Sequence, residues 1–361
     1  MSEELKQNRK KVGWFCTYTP EEIIHAAGFT PYRLLPHSGK GQNTVEDALP
    51  ANICPYPRKI LANLRSGAYD DLHGIVVANS CNAMTHLYNV LKEESGIFVH
   101  LLDVPRRQDQ GAVEYFAGEL ALMADRLGEG KEPVTAKRLK QSAALYREKG
   151  LLVKQAAEKK LEKNGFPLGL FGLAEEAASS EPEEFTRELK RSLESGDNVH
   201  PVKAGGKKDR SRALLLAGGL PPRGLVEMLK ENPELVLYPE NCAGMRYLEK
   251  PLPDSFANQD PGREEIMAMI AHNYLEKPPC PRVFNREARE LYYRRLIEEK
   301  QVSAVIYHDL LFCDMCHYDY LMLQDLLEEK AIPHLKVKTE LGDEDLGQLK
   351  TRVEAFLEIL E

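Results

Sequence analysis

Six of the seven cysteines in this 361-residue chain fall into two trios of related spacing, Cys16, Cys54 and Cys81 followed by Cys242, Cys280 and Cys313. The first step is 38 residues long in both trios, and the second is 27 in one and 33 in the other. The recurrence describes a duplicated cage. It demands a fold that gathers singly placed thiols from distant segments.

A charged chain keeps so many thiols as buried hydrophobes, as disulfides or as metal ligands. Met1 leads into Ser2-Glu3-Glu4-Leu5-Lys6, without the basic start and apolar run of a secretory signal, and nowhere do about 18 apolar residues follow one another. The expectation is a cytoplasmic protein with reduced thiols and no membrane span, which leaves burial and ligation as the leading alternatives. A net charge of −8 and the lack of a basic patch argue against nucleic-acid binding.

The pattern of apolar runs is that of α/β folding. Val12 to Phe15, Thr30 to Leu35, Gly74 to Ala78 and Ile97 to Leu102 read as strands, separated by amphipathic stretches such as Met84 to Glu94 and Val113 to Leu127. Thr19-Pro20-Glu21-Glu22 reads as a capped helix start with its acids at the positive end, closing at Gly28. Long helices are expected over Thr135 to Lys163, and a polar, Gly-rich stretch from Ser192 to Arg210 reads as a domain crossing. The alternation then restarts, with strands at Ala213 to Ala217, Leu235 to Tyr238, Ser303 to His308 and Pro333 to Val337, and helices at Gly224 to Lys230 and Leu321 to Lys330. The expected architecture is two tandem Rossmann/flavodoxin-like domains with parallel sheets and additional helices, residues 1–195 and 196–361, with a cleft between them.

On this scaffold Cys16, Cys81, Cys242 and Cys313 follow strand runs at their carboxyl ends, where open parallel sheets bind ligands. Cys54 and Cys280 sit in Pro-flanked segments, read as stiff loops, with Arg58 and Arg282 placed to offset thiolate charge. Structural zinc sites draw their ligands in close pairs, and Cys313-Asp314-Met315-Cys316 is the only such pair here. Single cysteines scattered over strand ends and loops suit an iron-sulfur cluster in a cleft better. His308 and His317 flank these segments and are candidate catalytic proton donors, with His86 behind them. Asn79, Ser80 and Asn241 are candidate hydrogen-bond donors to cluster sulfur. His25 and Cys316 read as packed groups, and Glu22 as a helix-start acid.

The run Gly13-Trp14-Phe15-Cys16-Thr17-Tyr18-Thr19-Pro20-Glu21-Glu22, with Ala26-Ala27-Gly28-Phe29-Thr30-Pro31, resembles the opening motif of the 2-hydroxyacyl-CoA dehydratase and benzoyl-CoA reductase family. Asn79-Ser80-Cys81-Asn82, Leu311-Phe312-Cys313-Asp314 and the stretch Gly347 to Phe356 resemble later segments of the same family. The resemblance implies a 4Fe-4S cluster held by Cys16, Cys81 and Cys313. Around Cys54, Cys242 and Cys280 the sequence looks like the double-cubane branch, in which two bridged 4Fe-4S cubanes take six ligands. It further implies low-potential electrons from a separate dimeric, ATP-hydrolysing activator carrying its own 4Fe-4S cluster, a small-molecule or acyl-CoA substrate, and a homodimer to meet that activator. The chain itself has no Gly-x-x-x-x-Gly-Lys-Ser/Thr phosphate loop. The implied activity is that of an iron-sulfur reductase. The alternatives are a single-cluster subunit of a 2-hydroxyacyl-CoA dehydratase, a lyase, or a cluster-bearing electron carrier.

Overall fold

The structure, a computed structural model, describes residues 9–36, 45–129, 132–162, 168–195, 212–232, 235–248, 252–253, 261–342 and 346–360. Its eight strands form two four-stranded sheets. The first contains β1 (Lys11–Trp14), β2 (Thr30–Arg33), β3 (Leu72–Ala78) and β4 (Phe98–Leu102) in the order β2-β1-β3-β4. The second contains β5 (Arg212–Gly218), β6 (Leu235–Glu240), β7 (Val302–Leu310) and β8 (His334–Thr339) in the matching order β6-β5-β7-β8. Every strand pair is parallel. These are two Rossmann-like units in tandem, as the alternation of apolar runs predicts. Of the expected linker, the part beyond Ser195 lies outside the described residues.

The inner strands read as mainly apolar runs because both faces of each sheet are covered. In β3, Val76 and Ala78 enter one core with helices α1 (Glu21–Ala26) and α4 (Gln110–Gly128), while Ile75 and Val77 enter another with α2 (Pro55–Arg65) and α3 (Asn82–Glu94). The period of two along a strand dictates this division. In the second sheet, Leu214, Leu216, Ala304 and Ile306 pack beneath α8 (Arg223–Lys230) and α13 (Leu346–Ile359). On the opposite face Leu215, Ala217, Val305 and Tyr307 meet α11 (Arg286–Glu299) and α12 (Asp314–Glu329). Three helices, α5 (Ala136–Glu162), α6 (Leu168–Ser179) and α7 (Pro182–Ser195), fill the segment between the sheets in sequence, and a single turn, α9 (Met245–Leu248), follows β6. Among the described residues no helix is long and apolar enough to cross a membrane.

Three local readings change. Pro55 and Pro57 do not stiffen a loop: they occupy the first turn of α2, where a missing N–H costs nothing, and Cys54 becomes the residue capping that helix. Glu21 and Glu22 stand in the first turn of α1 as expected, but both are buried, and the N-cap position falls on Pro20 with no side-chain bond to close the turn. The helix α10 (Arg263–Leu275) follows the second sheet's first strands in sequence yet puts Ile266, Met267, Ile270 and Tyr274 into the first sheet's core against α4. That exchange clasps the two units together. Truncating Ile270 to Ala is therefore expected to cost about 2–5 kcal/mol. Hydrogen exchange should show amide protection falling in α4 while β7 keeps its own.

Candidate functional site

Four cysteines follow strand ends. Cys16 comes after β1, Cys81 after β3, Cys242 after β6 and Cys313 after β7. Two local devices aim them. Phe312 adopts φ 57, a left-handed conformation that a large side chain seldom takes, immediately before Cys313. At Gly244, in the turn carrying Cys242, a Cβ would lie 2.3 Å from the Pro239 carbonyl oxygen, so only glycine fits. All seven cysteines are free thiols, Cys54 and Cys316 buried and the others half-buried.

The thiols form two adjoining neighbourhoods, each drawing on both sheets. In one, Cys16 faces Cys280 and Cys242. In the other, Cys313 accepts hydrogen bonds from the thiols of Cys316 and Cys54, and its charge reaches Cys81. Tyr56 faces Cys242 and Cys16 from the turn after Cys54, which joins the two. The charge of Cys242 also reaches Cys316, so the two neighbourhoods share an edge.

The two neighbourhoods are polarised differently. Cys54, Cys81 and Cys313 each sit at the N-cap of a helix, where the free backbone N–H groups and the helix dipole favour negative charge. Tyr56 N–H points at Cys54, Met84 and Ala83 N–H at Cys81, and Cys316 and Met315 N–H at Cys313. The Cys316 and Cys54 thiols, with those amides, hold Cys313 down to about 3, whereas Cys54 and Cys316 are raised chiefly by donating to it. Around the other trio the positive charge comes from guanidinium groups. Burial pushes Cys16 up to about 12, with the charge of Cys280 adding to it and Arg282 opposing; Cys280 is raised by burial while Arg246 and Arg289 pull it back.

Those arginines belong to a buried network beneath the thiols. Arg246 makes two bonds to Glu240, at 2.6 and 2.9 Å, and Arg289 makes two to Asp319, at 2.7 and 2.8 Å. Arg289 also donates to the Pro279 carbonyl at 2.7 Å, fixing the backbone next to Cys280, and Tyr293 hydroxyl joins Glu240 to Asp319 at 3.1 Å from each. Arg282 behaves otherwise. Nearly fully buried, it donates to the carbonyls of Pro105, Val104 and Asn79, with no carboxylate partner among the described residues. Arg33 is likewise buried, bonded to the Phe15 carbonyl and stacked on Trp14, again with no carboxylate partner among the described residues. A buried cation so placed is costly unless an anion faces it.

A thiolate-bound cubane is such an anion, and the donors present fit one. Ser80 hydroxyl donates to the Cys81 sulfur, as expected of a group tuning a cluster. Asn241 is fully buried with its Oδ1 on Ala243 N–H at 3.0 Å, while its Nδ2 has no partner among the described residues. Asn79 is spent on Asp103 and Thr85 instead, both at 3.0 Å. Arg58 turns away to Glu46 at 2.8 Å and offsets no thiol. Among the described residues the groups within single-ion reach of one another are not cysteines but His25, Glu181 and Glu183, and Arg9 sits among them.

The two expected proton donors separate. His308 is fully buried, its Nε2 bonded to Thr339 Oγ1 at 2.9 Å, and burial pushes it down to about 4, toward the neutral form. His317 is half-exposed in the first turn of α12, with Nδ1 3.3 Å from Asp309. His86 is exposed on α3. Sequence reasoning missed the buried Arg33, Arg246 and Arg289 and the pair Glu21 and Glu22; a charged residue inside or beside an apolar run was the available signal.

Two tandem Rossmann-like units with thiols gathered at their strand ends define a bilobal α/β protein built around a thiol site. The model of the 2-hydroxyglutaryl-CoA dehydratase D-component family matches residues 16–360, and the chain belongs to that family. It is similar to the (R)-phenyllactyl-CoA dehydratase beta subunit of Clostridium sporogenes, 21% identical over 98% of this chain and 92% of that one. The (R)-2-hydroxyglutaryl-CoA dehydratase beta subunit of Acidaminococcus fermentans is 22% identical over 98% of this chain and 93% of its own. A benzoyl-CoA reductase subunit of Thauera aromatica is 24% identical over 96% and 89% respectively.

In metal-free protein kept under reducing, anaerobic conditions, the thiols should differ sharply toward iodoacetamide. A thiol reacts as its thiolate, above its pKa. Cys313 is thus expected to label first, already at about pH 6, whereas Cys16 resists until the solution approaches about pH 12; peptide mass mapping over a pH series reads the order.

Proposed function

We propose that this protein is an iron-sulfur reductase holding two 4Fe-4S cubanes joined by a bridging sulfide. Cys16, Cys242 and Cys280 hold one cubane and Cys54, Cys81 and Cys313 the other. The observation that carries the reading is the meeting of six thiols from both sheets beside Arg33 and Arg282, two buried cations that have no carboxylate to face among the described residues. Six ligands in two sets of three is what two cubanes need when each leaves one iron without a thiolate.

When bound, such clusters supply single electrons at low potential. The protein's own residues do the rest. The helix N-termini and the guanidinium groups of Arg246, Arg282 and Arg289 set the charge around the two sites, and Ser80 hydroxyl and Asn241 Nδ2 donate toward sulfur. The clasp formed by α10 keeps water from the Cys16 side. His317 is the proposed acid at the rim. Electrons arrive from a separate dimeric activator that hydrolyses ATP and carries its own 4Fe-4S cluster, for which a homodimer of this chain is the symmetric counterpart. The substrate is a small reducible molecule, and the setting is the cytoplasm, where thiols stay reduced.

A second reading follows from the relatives, which are named as subunits of dehydratases and of a benzoyl-CoA reductase. In it, this chain holds one 4Fe-4S cluster and works on an acyl-CoA beside a different subunit. Anaerobically purified or reconstituted protein separates the two. About eight irons and about nine acid-labile sulfides per chain support the double-cubane reading, and about four of each support the other. Loss of iron from Cys16→Ser, Cys242→Ser and Cys280→Ser should be equal within that set, as should the loss from Cys54→Ser, Cys81→Ser and Cys313→Ser. Wild-type protein that takes up no iron sinks both readings.

The buried network makes a separate demand. Arg289→Met strands Asp319 without its partner, and the expected loss of stability is about 3–5 kcal/mol. Urea denaturation of the metal-free protein measures it apart from any effect on iron content.

A further inference from the structure

His25 from α1 meets Glu181, just before α7, and Glu183, in its first turn, and together they hold more lone pairs than the hydrogens among them can satisfy. We propose that His25 Nε2 and the carboxylates of Glu181 and Glu183 form a site for one divalent transition-metal ion, whose place the Arg9 guanidinium takes in the metal-free chain. The inference does not rest on the reductase reading.

The hydrogens can be counted. Ser142 Oγ, on α5, donates its single hydrogen to the Glu22 carbonyl at 2.7 Å, so at 2.9 Å from His25 Nδ1 it accepts, and Nδ1 is the protonated nitrogen. Nε2 lies against Arg9 Nη1, which only donates, and so presents a lone pair. That lone pair also faces Glu183 Oε1 at 3.1 Å, acceptor against acceptor with no hydrogen between them. Arg9 Nη1 has two hydrogens for three acceptors, since it stands 2.9 Å from Glu183 Oε1 and 3.2 Å from Glu181 Oε1 as well as beside Nε2. Glu183 Oε2 is buried with no partner among the described residues.

A metal ion accounts for this surplus. Two ligand atoms bound at about 2.1 Å and at right angles stand about 3.0 Å apart, close to the spacing of Nε2 and Glu183 Oε1. The three ligand atoms all lie within 4.8 Å of one another. Ser142 fixes the imidazole, and the Thr30 hydroxyl donates to Glu181 Oε2, the supports that ligating histidines and carboxylates ordinarily have. Two carboxylates match a divalent charge, whereas one guanidinium matches half of it. Burial and the hydrogen bond to Glu183 accordingly raise Glu181 to about 7, so that the pair shares a proton which an ion would replace. The His25 side chain is only 9% exposed, while those of Glu181 and Glu183 are 27% and 33% exposed, which leaves the ion a way in from the carboxylate side.

The test uses manganese(II) with the metal-free protein kept reduced and anaerobic, because imidazole and carboxylate suit this ion and thiolates do not. EPR titration should find one manganese bound per chain, and the electron spin echo of the bound ion should carry the modulation of a single imidazole nitrogen. His25→Gln should remove that modulation, and both it and Glu183→Gln should weaken binding by about tenfold or more. Ser142→Ala changes no ligand and should weaken binding by about tenfold through the freed imidazole. Arg9→Gln removes the competing cation and should tighten binding. Should His25→Gln or Glu183→Gln fail to fold, Ser142→Ala and Arg9→Gln carry the comparison. No manganese on the wild type, bound manganese without nitrogen modulation, or Arg9→Gln binding no more tightly than wild type would each overturn the proposal.

Discussion

Buried positive charge without a carboxylate partner is the constraint on which the site depends. Arg33 and Arg282 lie inside the protein on backbone carbonyls, which take up some of their N–H groups, leave both Nε atoms without a partner among the described residues, and do nothing for their charge. Desolvating a guanidinium costs several kcal/mol, and a nearby anion is what offsets it. The ionisable neighbours of Arg282 include Cys16, which burial pushes up to about 12, and Tyr18, which burial also raises, and neither by itself supplies charge at neutral pH. Iron changes that balance, because a ligating thiol is deprotonated outright. The metal-free protein is therefore electrostatically incomplete around this trio, and cluster binding and local stability are coupled.

The same reasoning separates the two halves of the site. Around Cys54, Cys81 and Cys313, positive potential comes from three helix N-termini, fixed in place by the backbone. Around Cys280 it comes from Arg246 and Arg289, held by Glu240 and Asp319. Fixed dipoles and full charges stabilise added electrons to different extents, so two cubanes in these settings would differ in potential. A gradient of that kind lets one centre receive electrons and the other release them.

Most of the scaffold was legible in the sequence: all eight strands were placed, the inner β3 and β5 as mainly apolar runs and the edge strands β2 and β8 despite polar residues among them. Their carboxyl ends located Cys16, Cys81, Cys242 and Cys313 correctly. The helices α2 and α10 were not legible for opposite reasons. In α2 the Pro-Tyr-Pro start looks like a loop unless the first turn's tolerance for proline is considered. In α10 nothing local says that Ile270 and Tyr274 belong to the core of the other unit. The burial of Arg33, Arg246, Arg289, Glu21 and Glu22 was only hinted at by their places inside or beside apolar runs, because pairing and burial are tertiary facts.

The equal 38-residue steps are only partly a matter of topology. Cys54 and Cys280 occupy corresponding places, between the second and third strands of their sheets, as do Cys81 and Cys313 after the third strand. Cys16 and Cys242 do not correspond: one follows the sheet's first strand and the other its second. Where the second unit would place the counterpart of Cys16 it has the turn Gly219-Leu220, and a Cβ on Gly219 would meet Leu310 at 2.8 Å and the Cys316 sulfur at 3.2 Å. The two units are thus alike in fold but not in their thiols. A strict duplication would hold one trio on each unit, each with its own domain. The departure at Cys16 and Cys242 gives each neighbourhood thiols from both units, so that neither unit can hold a complete set alone and the clasp between them becomes a condition for function.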